Sequence, residues 1–206
     1  MSTRFYEIKH DDLEDVKEVL ANAFMNDPLK HAFENEANFL KQYQAFFLVP
    51  VTYALKYGYV YSPSDDLEGV IVYTRGRYAS MTPWRMLMSG AMKYGLQVGR
   101  EPLKRLDPFM KLSKKDRKSF TSSYKDYFYV MLFGIHSDHQ GKGHGKALLQ
   151  HIIKQADQEL LPIYLETETE KNVSIYEHFG FKVVNQHNIP SLNMTFYAML
   201  RESKPR

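Results

Sequence analysis

The run Asp138-His139-Gln140-Gly141-Lys142-Gly143-His144-Gly145-Lys146 sets the reading of this chain. It follows an apolar stretch, Tyr127 to Ile135, and precedes a periodic one, Ala147 to Leu160. The pattern predicts a strand, a glycine-rich turn and a helix. The first turn of a helix has N–H groups without intrahelical partners, and the helix dipole favours negative charge there. Glycines leave out the Cβ atoms that would keep a diphosphate from the backbone. Residues 141–146 are therefore expected to bind a phosphorylated ligand.

The glycines alone do not identify that ligand. Gly141, Gly143 and Gly145 are spaced G-x-G-x-G. A dinucleotide turn is spaced G-x-G-x-x-G, and a Walker loop needs G-x-x-x-x-G-K-[ST]. A nucleotide-binding module is disfavoured on that ground.

Outward from the loop, the C-terminal half reads clearly. Tyr127 to Ile135 is apolar on both faces, as a central strand is. Ala147, Leu148, Ile152, Ile153, Ala156 and Leu160 give a helix with one buried side. Ile163 to Thr167 reads as a strand, Asn172 to Phe179 as a short helix ended by Gly180, and 181–184 and 194–200 as two last strands. In the N-terminal half, Phe5 to Ile8 reads as a strand. Leu13, Val16, Leu20 and Phe24 stand at helical spacing, and Asn26-Asp27-Pro28 stops that helix. A second helix is expected over 36–48, then a hairpin of 59–61 with 70–73 around Pro63-Ser64-Asp65-Asp66. Thr82-Pro83 is a helix start. From Trp84 to about Lys118 the chain reads as mostly helical, with breaks near Pro102 and Pro108. The expectation is one domain over 1–206 with a helical insertion at about 78–122.

Composition narrows the classes. Of 206 residues, 44% are hydrophobic and 14% aromatic, enough for a sizeable core. There is no cysteine, which excludes disulfides, thiolate catalysis and cysteine-based zinc sites. Charge is nearly balanced, 27 basic against 24 acidic residues, so no nucleic-acid partner is expected. A basic run, Arg100 to Lys118, reads first as a solvated face. No run approaches the ~20 apolar residues of a membrane span, and the N-terminus has no apolar leader segment. A cytoplasmic protein without membrane contact is the expectation; a homodimer is left open. His136, His139, His144 and His151 match no zinc spacing, so no metal is expected.

At this point the chain resembles the GCN5-related N-acetyltransferases. Their acyl-CoA loop, Q/R-x-x-G-x-G/A, is matched by Gln140, Gly143 and Gly145. Their next motif, an Asn, a Tyr four residues on and a closing Gly-Phe, is matched by Asn172, Tyr176 and Gly180-Phe181. The resemblance is firm over about 129–181, weaker toward the N-terminus, and says little of 75–125. The segment Leu165-Glu166-Thr167 with Asn172 to Phe181 resembles the branch containing puromycin-type acetyltransferases. His136 departs from the proline that many relatives carry there.

The resemblance implies a mixed α/β sheet of about six or seven strands with helices on both faces. It implies acetyl transfer from acetyl-CoA to a primary amine, most simply of a small molecule, by direct attack in a ternary complex. The central strand would splay from its neighbour, with Phe133, Gly134 and Ile135 holding the pantetheine arm and acetyl group. Gly134 also fits a bulge or a close backbone approach. Gln140, Gly141, Lys142, Gly143, His144, Gly145 and Lys146 would hold the diphosphate, with Asn172 beside the arm. Tyr176 would protonate the departing thiolate, one helical turn from Asn172. Glu166 is the candidate base, with Glu168 on the same face if the strand continues. By family position Asp27, Phe24, Phe33 and Tyr78 would line an acceptor pocket. The alternative is an acyl-CoA-binding regulatory module without turnover.

Overall fold

The long buried run Gly69–Thr74 lies at the centre of the molecule beside the apolar run 128–135, with helices layered on both faces. The structure, a computed structural model, describes residues 5–34 and 36–204. In chain order the elements are β1 (Tyr6–Glu7), α1 (Leu13–Ala23), α2 (Phe39–Tyr57), β2 (Gly58–Ser62), β3 (Gly69–Arg75), α3 (Pro83–Ser89), α4 (Met92–Val98) and α5 (Arg100–Thr121). They continue with β4 (Phe128–Ile135), α6 (His144–Glu159), β5 (Ile163–Thr167), α7 (Glu170–His178), β6 (Lys182–Ile189) and β7 (Met194–Arg201). The strands form one seven-stranded sheet in the order β1-β2-β3-β4-β5-β7-β6. All neighbours are antiparallel except β4 and β5, which α6 joins as a parallel pair.

Alternation along β3 divides the core in two. Val70 and Val72 face a layer built from α1, α2, α4 and α5; Ile71 and Tyr73 face the layer of α6 and α7. Both β3 and β4 are flanked by strands on either side, which explains their near-continuous apolar character.

Several expected boundaries move. The second helix does not stop before Pro50 but runs to Tyr57, with Pro50 inside it. Proline removes one ladder bond and crowds the preceding turn. Burial of Val51, Thr52, Tyr53 and Ala54 beyond it carries the helix through. Between β3 and β4 the helix breaks fall at glycines, not at prolines. Gly90 and Gly99, at φ 79° and 88°, separate α3, α4 and α5. Pro102 sits in the first turn of α5, where its missing N–H has no helical partner, and α5 continues past Pro108. The helix α7 begins two residues before Asn172, capped by Thr169 Oγ1 accepting from Asn172 N–H at 3.2 Å. The strand expected over 181–184 extends to Ile189, with a register shift between Val183 and Asn185.

Candidate active site

The site begins with a fault in the sheet. Opposite β3 the register steps from Leu132 against Val72 to Val130 against Tyr73, so Met131 is left over as a bulge. The bulge is thus at Met131 and not at Gly134. A bulge bends its strand and increases the local twist. Pairing of β4 with β5 stops there: it covers Phe128, Tyr129 and Val130 and goes no further. From Met131 to Ile135 the β5-facing edge of β4 is unpaired by any strand. Gly134 has a different reason. A Cβ on it would lie 2.9 Å from Ala23 Cβ and from the Phe24 ring, so the glycine lets the end of α1 pack on β4 beside the splay.

The loop comes directly after β4. The Gln140 side chain folds back and donates from Nε2 to the Ile135 carbonyl at 3.1 Å, which braces the turn from within. Gly141 and Gly143 have φ of 76° and 88°, and open space surrounds the position of a Cβ on either. The first bond of α6 runs from Ala147 N–H to the Gly143 carbonyl at 3.0 Å. The N–H groups of His144, Gly145 and Lys146 therefore precede the helical ladder. No acidic residue occupies that first turn, and Lys142 and Lys146 are exposed at its rim. His144 Nδ1 lies 3.9 Å from Glu68 Oε1. A Cβ on Gly145 would lie 3.4 and 3.5 Å from the Ile135 and Phe133 side chains. The four histidines do not gather in space. His136, His139 and His144 follow one another at ring separations of 5.9 and 6.0 Å, whereas His151 packs on Phe5 and Tyr61.

Between the splayed strands and the helices above them is a cavity of about 740 Å³. Its wall includes Met131 and Phe133 of β4, Glu166 and Thr167 of β5, Glu168, and Asn172 and Tyr176 of α7. Of the residues expected to meet the arm, Phe133 and Asn172 share this cavity with the expected acid and base, whereas Gly134 and Ile135 do not line it. Phe24 reaches its wall, but Phe33 is fully buried in the core against Tyr43 and Phe46, and Tyr78 instead gives its carbonyl to Tyr53.

Tyr176 is buried, its ring edge-on to Phe181 at 5.6 Å. Its hydroxyl has no hydrogen-bond partner among the described residues. Burial, and then the Glu168 carboxylate, push its pKa above the usual phenol range. The phenol accordingly keeps its proton at neutral pH.

The two glutamates are distinct. Both oxygens of Glu166 are engaged: Oε1 accepts from Ser113 Oγ at 2.8 Å, Oε2 from Tyr129 OH at 2.9 Å. Glu168 follows β5, and burial, with Asp27 and Glu166 adding like charge, raises its pKa well above the usual carboxylate range. Asp27 is raised as well, to about 6, by burial, although its Oδ1 accepts the Leu29 N–H at 2.9 Å. Glu168 had no motif to announce it; the end of β5 and the fold of residues 24–28 decide its environment.

Residues of α3, α4 and α5 form one side of the cavity. At one end of α5, Arg105 Nη1 donates to the Ala32 carbonyl and to Glu36 Oε1, both at 2.9 Å. At the other, buried Asp116 meets His187 Nε2 at 2.7 Å and Asn185 Nδ2 at 3.2 Å. Between them Ser113 reaches Glu166. The helix is a strap from the 28–36 segment to β6, across the splay.

Comparison with known proteins agrees with this geometry. The acetyltransferase (GNAT) domain family matches residues 115–183. An uncharacterised N-acetyltransferase of Schizosaccharomyces pombe is 32% identical over 169 residues, which span 79% of this chain and 67% of the relative. Among solved structures, a Corynebacterium glutamicum protein described as histone acetyltransferase HPA2 and related acetyltransferase superposes with a TM-score of 0.64 at 19% identity, covering 100% of this chain and 99% of the other. A putative arylalkylamine N-acetyltransferase of the yellow fever mosquito gives 0.68 at 12% identity, covering 97% and 86%. The last two likenesses concern the fold. The loop, the splay, the seven-stranded sheet and the relative at 32% identity together make one conclusion: the chain belongs to the GCN5-related N-acetyltransferase family.

Proposed function

We propose that the chain transfers the acetyl group of acetyl-CoA to the primary amine of a small-molecule acceptor, by direct attack within a ternary complex. The observation that carries the reading is the edge of β4 left unpaired beyond Val130, which at Met131 to Phe133 lines a cavity that also holds Tyr176 and Glu168. The residues fit acetyl-CoA. The loop offers open backbone at Gly141 and Gly143, two lysines and no carboxylate in the first helical turn. The free edge of β4 offers amide groups to the pantetheine arm, as an added strand would use them. Bound acetyl-CoA supplies an activated thioester.

The chain's own groups then have separable tasks. A backbone N–H near Ile135 polarises the thioester carbonyl and meets the developing oxyanion. Tyr176 holds a proton for the thiolate. For the proton lost by the ammonium, Glu168 is the better base and Glu166 the positioning residue. Glu166 is held in place by two hydroxyl donors, whereas Glu168 lines the cavity without a side-chain donor among the described residues and burial raises its pKa. We read the segment α3–α5 as an insertion into a single acetyltransferase domain. Its strap favours a small acceptor over an extended chain, because α5 bridges the two sides between which an extended chain would lie.

Tyr176→Phe tests the reading. It keeps the ring and removes the hydroxyl. With any accepted amine kcat should drop by roughly 10²-fold, with acetyl-CoA affinity retained. Full kcat in the variant, with chemistry rate-limiting, would make Tyr176 a packing residue.

A further inference from the structure

The acceptor side of the cavity has a chemistry of its own. Beyond the splay its wall is built by Phe46, Met86, Met92, Leu96, Phe109 and Met110, from α2 and all three helices of the insertion. Met81 and Met110 line the cavity and are also 37% and 40% exposed, so the mouth is apolar too. Thioether side chains are flexible and polarisable, suited to apolar bodies of varied shape. The lining carboxylates are Glu166 and Glu168, at the β5 end, and Glu166 is held by Ser113 and Tyr129. Lys114 and Arg117 line the same region, with Arg117 stacked 4.4 Å over the Tyr129 ring.

We infer that the acceptor is a single primary ammonium on a bulky apolar body, an arylalkyl- or long-chain alkylamine; the inference rests on the acetyl-transfer reading above. A polyamine would bring several charges to a cavity with one unengaged carboxylate and two cations in its wall. A peptide would bring backbone N–H and C=O groups that Met, Phe and Leu side chains cannot satisfy, at a cost for each one buried. It would also have to pass the α5 strap. A cavity of about 740 Å³ is within the range that takes a drug-sized ligand, with room for the thioester end at the splay. The ammonium would face Glu168 and the apolar body would lie beneath α3–α5.

The test is a panel that varies the body while keeping the amine. Thioester loss is followed with propylamine, hexylamine, octylamine, 2-phenylethylamine, spermidine and a tetrapeptide with a free N-terminus. The expected result is kcat/KM rising about three- to fourfold per methylene along the alkyl series, until the cavity fills. Spermidine and the peptide should rank below hexylamine. Met110→Glu puts a charge at the apolar mouth on a partly exposed residue. It should flatten the chain-length dependence while calorimetry shows unchanged acetyl-CoA affinity. A series without length dependence, or spermidine or the peptide as best acceptor, overturns the inference and leaves acetyl transfer standing. Acetyl-CoA binding without thioester loss for any amine overturns acetyl transfer and the inference with it.

Discussion

Gly143 has a left-handed backbone and open space where a side chain would project. Gly143→Val is unfavourable twice. A β-branched residue is strained at φ 88°, and its methyl groups would stand where a diphosphate must approach. Acetyl-CoA affinity should fall at least tenfold, about 1.4 kcal/mol, by calorimetry, with the far-ultraviolet circular dichroism retained. The two glutamates can be separated by pH. A base works only when deprotonated, so kcat/KM should fall as pH drops through its pKa. Since burial raises Glu168, that limb should sit above ~4.3, the ordinary value for glutamate. Glu168→Gln should remove the limb and lower kcat by about 10²-fold or more. Glu166→Gln should leave the limb in place; its disappearance there would exchange the two roles.

At the level of elements, the bulge at Met131 and the strap α5 set the shape of the site. The bulge ends the β4–β5 ladder after three pairs, and the two strands diverge from that point. The strap is held at both ends by polar contacts to segments far away in sequence. Asp116→Ala should leave His187 and Asn185 without their shared acceptor, and α5 loses one of its anchors. Amide hydrogen exchange over residues 100–121 should accelerate. KM for the acceptor should rise several-fold, and acetyl-CoA affinity should stay. Unchanged exchange would mean that the apolar contacts of Leu103, Phe109 and Leu112 hold the helix alone.

For the whole molecule, two carboxyl groups, Asp157 partly exposed and Asp27 buried, act on stability with opposite signs. Asp157 binds Arg201 through both oxygens at 2.7 and 2.9 Å and ties α6 to the last strand and the tail. Burial raises its pKa, but the Arg201 guanidinium and the Lys204 N–H more than offset this and hold it below the usual carboxylate range. Its contribution is therefore present above the unfolded value of ~3.9 and is lost as pH falls through the folded one. Asp27 is raised to about 6 by burial. The folded state holds its proton more tightly, so stability is lost as pH rises from ~4 toward 6. Asp157→Asn should cost about 2 kcal/mol at neutral pH, since the pair is buried on the Arg201 side and a fifth exposed on the other. It should also flatten the acid arm of Tm against pH. Asp27→Asn should flatten the arm between ~pH 4 and 6 instead. A Tm profile that neither variant changes would assign the pH dependence to other groups.

The sequence by itself determined what short-range chemistry determines. Three glycines between an apolar strand and an amphipathic helix suffice for a turn with free N–H groups, so the loop was readable before any contact was known. So were the hairpin of β2 and β3 and the helical register that puts Asn172 and Tyr176 on one face, while the sheet with helices on both faces came from the family resemblance. Proline positions were weaker guides, because burial overrides local preference: α2 runs through Pro50, and α5 through Pro108. Tertiary structure alone decided the rest. The bulge at Met131 depends on how β4 registers against β3. The surroundings of Glu166 come from Ser113, 53 residues away, and Tyr129, 37 away, and those of Glu168 from Asp27. The cavity is the space left between helices whose spacing no local pattern encodes. Turns follow from backbone sterics over a few residues; a carboxylate's proton affinity and a cavity's walls follow from contacts between segments distant in sequence.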